Sequence, residues 1–252
     1  MSKAEIVVRL PAEAHGLPQT EEYCIVAQNG REWAVRLHDY REMYLVPGLY
    51  EKILSDTLHC TSPDVVASLL TEQVGQEGLS PSGLTVLEVG AGSGLSGAAL
   101  RRKGIETVVG IDIIEEARTA ARREHPSVYH AYYVEDLCNL SDQTRKELRG
   151  YHFNCLICVS ALGLNHVPPQ VFAHGYNMIA SGGWVVFNVR EHTFEDRHAT
   201  GFTRLVQRMA AEGTMEILLT RTYRHRFAVD GTPINYTAMV ARKREGVPLD
   251  TL

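Results

Sequence analysis

The run Val86–Gly97, VLEVGAGSGLSG, constrains this chain more than any other stretch. An apolar strand candidate runs straight into closely spaced glycines, and a helix candidate follows. Glycine lets the backbone turn sharply and come close to a ligand. The first turn of the following helix offers unpaired N–H groups at the same place. A chain built this way folds as strand, tight turn and helix, with a ligand site at the turn.

The remainder agrees with that start. Strand candidates are Thr85–Val89, Thr107–Ile113, Val128–Val134, Phe153–Ser160 and Trp184–Val189. Helix candidates alternate with them, near Leu95–Lys103, Glu115–His125, Ser141–Arg149 and Pro168–Ala180. Short apolar strands separated by helices predict a mostly parallel, doubly wound α/β sheet covered on both faces. A hydrophobic content of 44% over 252 residues is enough to fill such a core. Towards the C-terminus, Phe202, Leu205, Val206, Met209 and Ala210 share one helical face that Gly213 ends. Two long strands follow, Met215–Val229 and Ile234–Arg242, with Asp230-Gly231 in an antiparallel turn. At the other end, Tyr23–Gln28 and Arg31–Leu37 form a hairpin across Asn29-Gly30. Residues 38–56 are helical in part, and Ser62-Pro63-Asp64 starts a further helix with Ser62 as its cap.

Two cofactor classes use a glycine-rich strand-to-helix turn. Gly92, Gly94 and Gly97 match the G-x-G-x-x-G of nicotinamide and flavin enzymes. Glu88 followed by Gly90-Ala91-Gly92-Ser93-Gly94 matches the alternative, since a carboxylate there repels a pyrophosphate and attracts an ammonium. The run resembles the first motif of the class I, Rossmann-like S-adenosylmethionine-dependent methyltransferases of the small-molecule type. The resemblance implies that Glu88 helps hold the cofactor's methionine part and that Gly90, Ala91, Gly92 and Gly94 form its cradle. It implies further that Asp112 accepts the ribose hydroxyls with Ile113 beside it. Asp136 and Leu137 would meet the adenine, and Ser160 at the fourth strand end would complete the cofactor wall. It covers about residues 84–242. The family's fold is a seven-stranded sheet with its last strand inserted antiparallel, which the hairpin at Asp230-Gly231 matches. Residues 1–83 would then be an N-terminal extension of hairpin and lid helices, and 84–252 the cofactor-binding core. The readings left beside this one are a nicotinamide-dependent oxidoreductase and a non-catalytic S-adenosylmethionine-binding module.

Composition narrows the partners. The net charge is −5 with no block of like charges. Nucleic-acid surfaces usually carry a basic stripe, so nucleic acid is not expected; the resemblance implies a small-molecule substrate. The opening MSKAEIVVRLPAEA holds no long apolar run, so neither a signal peptide nor a membrane segment is expected there. Five cysteines, an odd number, fit reduced thiols in a cytoplasmic monomer or homodimer. Cys155 and Cys158 have C-x-x-C spacing but sit in an apolar run without a second pair, so they read as core thiols and no metal site is expected.

The acceptor side is less marked. His166, after the fourth strand, has a reference pKa near 6.5 and suits a general base; it can equally cap the helix at Pro168. Asn188 and Arg190, at the fifth strand end, either orient a substrate or form loop surface. Tyr40, Tyr44 and Tyr50 lie in an aromatic segment around Pro47-Gly48. They form either a lid lining the acceptor pocket or ordinary helix packing.

Overall fold

The computed structural model describes residues 5–162, 166–194 and 201–249. The chain opens with β1 (Val7–Arg9), β2 (Tyr23–Gln28) and β3 (Arg31–Arg36), an antiparallel three-stranded sheet in the order β1-β2-β3. The hairpin at Asn29-Gly30 forms as the turn chemistry demands, both residues having positive φ; β1 adds an edge strand that the sequence pattern did not announce. Next come α1 (Tyr40–Leu45) and α2 (Leu49–Glu51), which runs on into a π-helical segment, Lys52–Thr57. The apolar faces of this sheet and these helices close on each other through Val26, Val35, Met43, Leu49 and Ile53. The extension therefore has a core of its own, joined to the rest at Val229.

The main sheet is built from β4 (Thr85–Val89), β5 (Thr107–Asp112), β6 (Ala131–Val134), β7 (Cys155–Cys158), β8 (Trp184–Arg190), β9 (Met215–Phe227) and β10 (Pro233–Lys243). Its order is β6-β5-β4-β7-β8-β10-β9. The pairs among β4 to β8 are parallel, and β10 lies antiparallel between β8 and β9. On one face α3 (Ser62–Gln76) and α4 (Leu95–Arg102) bury Val66, Leu70 and Leu100 against Val86, Ile157 and Val186. On the other, α6 (Asp142–Gly150), α7 (Pro169–Met178) and α8 (Gly201–Ala211) bury Leu148, Phe172 and Phe202 against Leu87, Leu156 and Phe187. α5 (Glu115–Glu124) follows β5 and meets α1. Gly213, at φ +73°, ends α8 as expected. Cys155 and Cys158 belong to opposite faces of the sheet, because three places along a strand reverses the side.

One local expectation fails. Ser62 does not cap α3: Thr61 holds the cap position, and the fully buried Ser62 hydroxyl turns inward to His225 Nδ1 at 2.6 Å and Tyr223 Oη at 2.7 Å. Buried polar partners outcompete the helix end for that oxygen.

Candidate active site

The parallel strands end on a single cavity of about 1040 Å³. Gly90 and Gly92 turn at φ +70° and +55°, leaving their faces bare on its wall. A Cβ on Gly92 would stand 2.7 Å from the Tyr44 hydroxyl, so only glycine permits that approach. Asp112, at the end of β5, accepts the Gly92 amide at 2.9 Å through Oδ2 and the Ile114 amide at 3.0 Å through Oδ1. Burial raises its pKa, and these amide bonds oppose the rise. Asp136, after β6, takes the Cys138 amide and the Asn139 side-chain amide, which together hold its pKa below the usual range. Ser93 Oγ is buried on the same wall with no hydrogen-bond partner among the described residues.

Of the expected cofactor residues, Gly90, Ala91, Gly92, Asp112, Ile113, Asp136, Leu137 and Ser160 line this cavity. Glu88 does not. It is 2% exposed and accepts the Tyr129 hydroxyl at 3.0 Å beneath the glycine turn; desolvation, with Tyr129 opposing it, raises its pKa to about 8. The expectation that it faces the methionine ammonium is corrected accordingly. Gly94 is also turned away, towards Tyr129 and His125. Gly97 and Gly110 leave the room that the Tyr129 ring fills, which gives the third glycine of the G-x-G-x-x-G pattern a packing reason.

Tyr40, Tyr44, Tyr50 and His166, expected on the acceptor side, meet at the same cavity. Ring centroids of Tyr40 lie 6.2 Å from Tyr44, 6.4 Å from Tyr50 and 5.3 Å from His166. His166 has its pKa lowered by burial and by His38, whose ring is 5.2 Å away. The residues before it, Gly163-Leu164-Asn165, lie outside the described residues. The tyrosine segment is fastened to α5: the Gly48 amide donates to Glu124 at 2.8 Å, Arg123 donates to the Tyr44 carbonyl at 2.9 Å, and His125 stands 2.7 Å from Glu51.

Asn188 and Arg190 are not brought to the cavity. Arg190 is exposed where β8 pairs with Tyr236. Asn188 is fully buried, and its Oδ1 accepts the Ser160 amide at 2.6 Å, holding Ser160 at φ +57°. Asn188 thus shapes the strand end from below. The sequence reading gave strands to the C-terminal hairpin but assigned no site role to its cavity residues His225, Arg226 and Tyr236. Ile234 pairs with Arg226 and Asn235 with Arg224, so His225 is the extra residue of a β-bulge. That lets the adjacent His225 and Arg226 both be buried at the cavity, where strict alternation would expose one of them. The Arg226 guanidinium is paired with Glu22 of the extension, both nearly fully buried, and Glu22 also accepts the Val229 amide at 2.8 Å.

A parallel sheet with one strand inserted antiparallel next to its last, and a cavity at the strand ends, defines the class: the Rossmann-like S-adenosylmethionine-dependent methyltransferases. The methyltransferase domain family matches residues 63–227, and the chain belongs to that family. The fold is similar to that of an S-adenosylmethionine-dependent methyltransferase from Clostridium acetobutylicum ATCC 824, at 10% identity and TM-score 0.51, over 79% of this chain and 97% of that one. A Thermoplasma acidophilum protein is similar at 13% identity and TM-score 0.50, over 81% and 97% of the two chains. Magnesium protoporphyrin IX methyltransferase from Synechocystis PCC 6803, solved with bound S-adenosylmethionine, gives 15% identity and TM-score 0.49 over 71% and 79%. Comparison with curated proteins gives no match. Among the described residues no helix is long and apolar enough to cross a membrane.

Proposed function

We propose that this enzyme methylates a small-molecule acceptor on O, N or C inside the cavity. The observation that supports this is the lining: the tyrosine segment and the C-terminal hairpin both stand at the strand-end cleft. A concave pocket with aromatic walls and a few polar groups suits a compact acceptor better than a macromolecular chain. S-adenosylmethionine supplies an electrophilic methyl group when bound. In this reading Asp112 holds the ribose hydroxyls. The ionised Asp136 accepts from the adenine amine, with the Leu137 backbone beside it. The bare faces of Gly90 and Gly92, with Ser93 and Ser160, take the methionine part. Tyr40, Tyr44 and Tyr50 exclude water and fix the approach, which in methyl transfer supplies much of the rate. His166, held neutral, receives the acceptor's proton. The enzyme works without nucleic acid, as a cytoplasmic monomer or homodimer.

The test is incubation with methyl-labelled S-adenosylmethionine and three acceptor pools: small metabolites, total RNA and unfolded protein. Label recovered only in low-mass products supports the proposal; label in RNA or protein alone overturns the acceptor assignment. Calorimetry with S-adenosylhomocysteine, NAD and NADP decides the cofactor independently, and binding of a nicotinamide alone would return the oxidoreductase reading.

A further inference from the structure

The hairpin end of the cavity holds a histidine whose hydrogens can be placed from the surrounding bonds. Asn188 is oriented first. Its Oδ1 accepts the Ser160 amide, so its Nδ2 is the donor that reaches Ser62 Oγ at 3.0 Å and Tyr223 Oη at 2.7 Å. Tyr223 Oη accepts from that amide, and Ser62 Oγ, 2.7 Å away, is the one acceptor for its own hydrogen among the described residues, so Tyr223 donates there. Ser62 then sends its hydrogen to the partner that remains, His225 Nδ1 at 2.6 Å. Cys60 Sγ lies 3.7 Å from the same nitrogen, and burial keeps its thiol protonated by raising its pKa to about 11. With Ser62 donating, Nδ1 is the acceptor, and the ring hydrogen sits on Nε2.

The geometry around the ring is equally determined. His225 stacks on Tyr236 with centroids 4.0 Å apart and 28° between planes. Its Nδ1 side is anchored in buried polar groups, and the residue lines the cavity. Among the described residues Nε2 has no hydrogen-bond partner, yet it is not one of the enclosed polar atoms. The ring is neutral, because desolvation and the nearby Arg226 push its pKa down to about 3. Arg226 is matched by Glu22, so among the described residues this end of the cavity carries no free cation that would dominate recognition.

We infer that His225 is a substrate-recognition residue: it presents a fixed Nε2–H at the hairpin end of the cavity and takes the acceptor molecule there through a carbonyl or carboxylate oxygen. The inference rests on the methyltransferase reading of this cavity and deepens it. It selects against acceptors whose only polar group at that end is an ammonium, because donor would then face donor.

The test uses the whole chain labelled with 15N-histidine, saturated with S-adenosylhomocysteine, and three probes: acetophenone, benzoate and benzylamine. Long-range 1H–15N NMR is expected to report the Nε2–H tautomer at His225. Acetophenone or benzoate is expected to shift that nitrogen and to bind at least about tenfold tighter than benzylamine, the tenfold being worth about 1.4 kcal/mol. The first two probes separate a neutral from an anionic oxygen. H225F keeps a ring on Tyr236 and is expected to abolish the discrimination while leaving S-adenosylhomocysteine affinity unchanged. H225Q, which returns an amide N–H, is expected to restore part of it. An Nδ1–H tautomer, or discrimination that persists in H225F, overturns the proposal. If S-adenosylhomocysteine does not bind the unaltered protein, the methyltransferase reading fails instead, and the tautomer still decides this one.

Discussion

Glu88 shows how far a single residue can depart from what its position in a motif implies. The sequence reads it as a charge offered to the cofactor, whereas the fold seals it under the glycine turn with Tyr129 as its partner. No sequence signal marks this, because Tyr129 lies 41 residues away and reaches it only through the gaps left at Gly97 and Gly110. Since burial raises its pKa to about 8, Glu88 is mostly protonated at neutral pH. Glu88→Gln, which keeps the shape, is therefore expected to change the melting temperature little at pH 5 and to raise it by several degrees at pH 9. Thermal unfolding at both values checks this, and equal shifts at the two pH values would contradict it. Asp112 is the contrasting case, a motif residue that does reach the cavity. Asp112→Ala is expected to weaken S-adenosylhomocysteine binding by roughly 10- to 100-fold, since hydrogen bonds to a charged group contribute about 1.5–3 kcal/mol. Because the carboxylate also holds the Gly92 amide, Asp112→Asn should lose less; unchanged calorimetric affinity in a folded Ala variant would remove the ribose role. For His166, whose pKa is lowered by burial and His38, the acid limb of kcat against pH is expected below pH 6.5. A limb above that value would mean that another group is titrating.

Elements were legible where a hydrophobic period or a turn dipeptide carried them. The alternation of strands and helices from Thr85 to Arg190, the Asn29-Gly30 hairpin and the Asp230-Gly231 turn all stand close to where the sequence puts them. The bulge at His225 was not legible. Nothing in Tyr223-Arg224-His225-Arg226-Phe227 distinguishes a regular strand from one with an extra residue, since the difference lies in the partner's register. That one irregularity decides which side chains meet the cavity. The join between the extension and the hairpin was equally hidden, because Glu22 and Arg226 are 204 residues apart in sequence. Breaking one side of a buried pair leaves the other charge uncompensated. Glu22→Ala is therefore expected to destabilise the fold by about 3–5 kcal/mol. Adding Arg226→Met should recover much of that loss. Denaturant unfolding of the two single variants and the double checks this, and additive losses would show that the pair is not coupled.

At the scale of the whole molecule, two of the buried titrating groups, His225 and Glu88, set opposite limits on stability. His225, neutral in the fold down to about pH 3, binds its proton near pH 6.5 once unfolded, so stability falls as pH drops from 6.5 towards 3. Glu88 has the reverse sign: its folded pKa is raised to about 8, so its contribution is full at low pH and is lost as pH rises through 8. Together they predict a melting-temperature maximum at about pH 6, with the acid limb flattened in H225F and the alkaline limb flattened in E88Q. A melting temperature constant from pH 4 to 9 would contradict both assignments. The fold class was legible because one strand–turn–helix run and the pattern of its neighbours leave few architectures open. The proposed acceptor wall was not, because its residues come from segments at opposite ends of the chain. Gly90, Asp112 and Asp136 follow successive strands within one stretch of fewer than 50 residues. His225 and Tyr236 stand on β9 and β10 of the terminal hairpin, towards the other edge of the sheet. Inheritance can therefore work on the two separately. Under the proposed assignment, variation in the hairpin retunes which molecule is accepted while the donor half stays unaltered, so substrate choice and methyl supply can change independently.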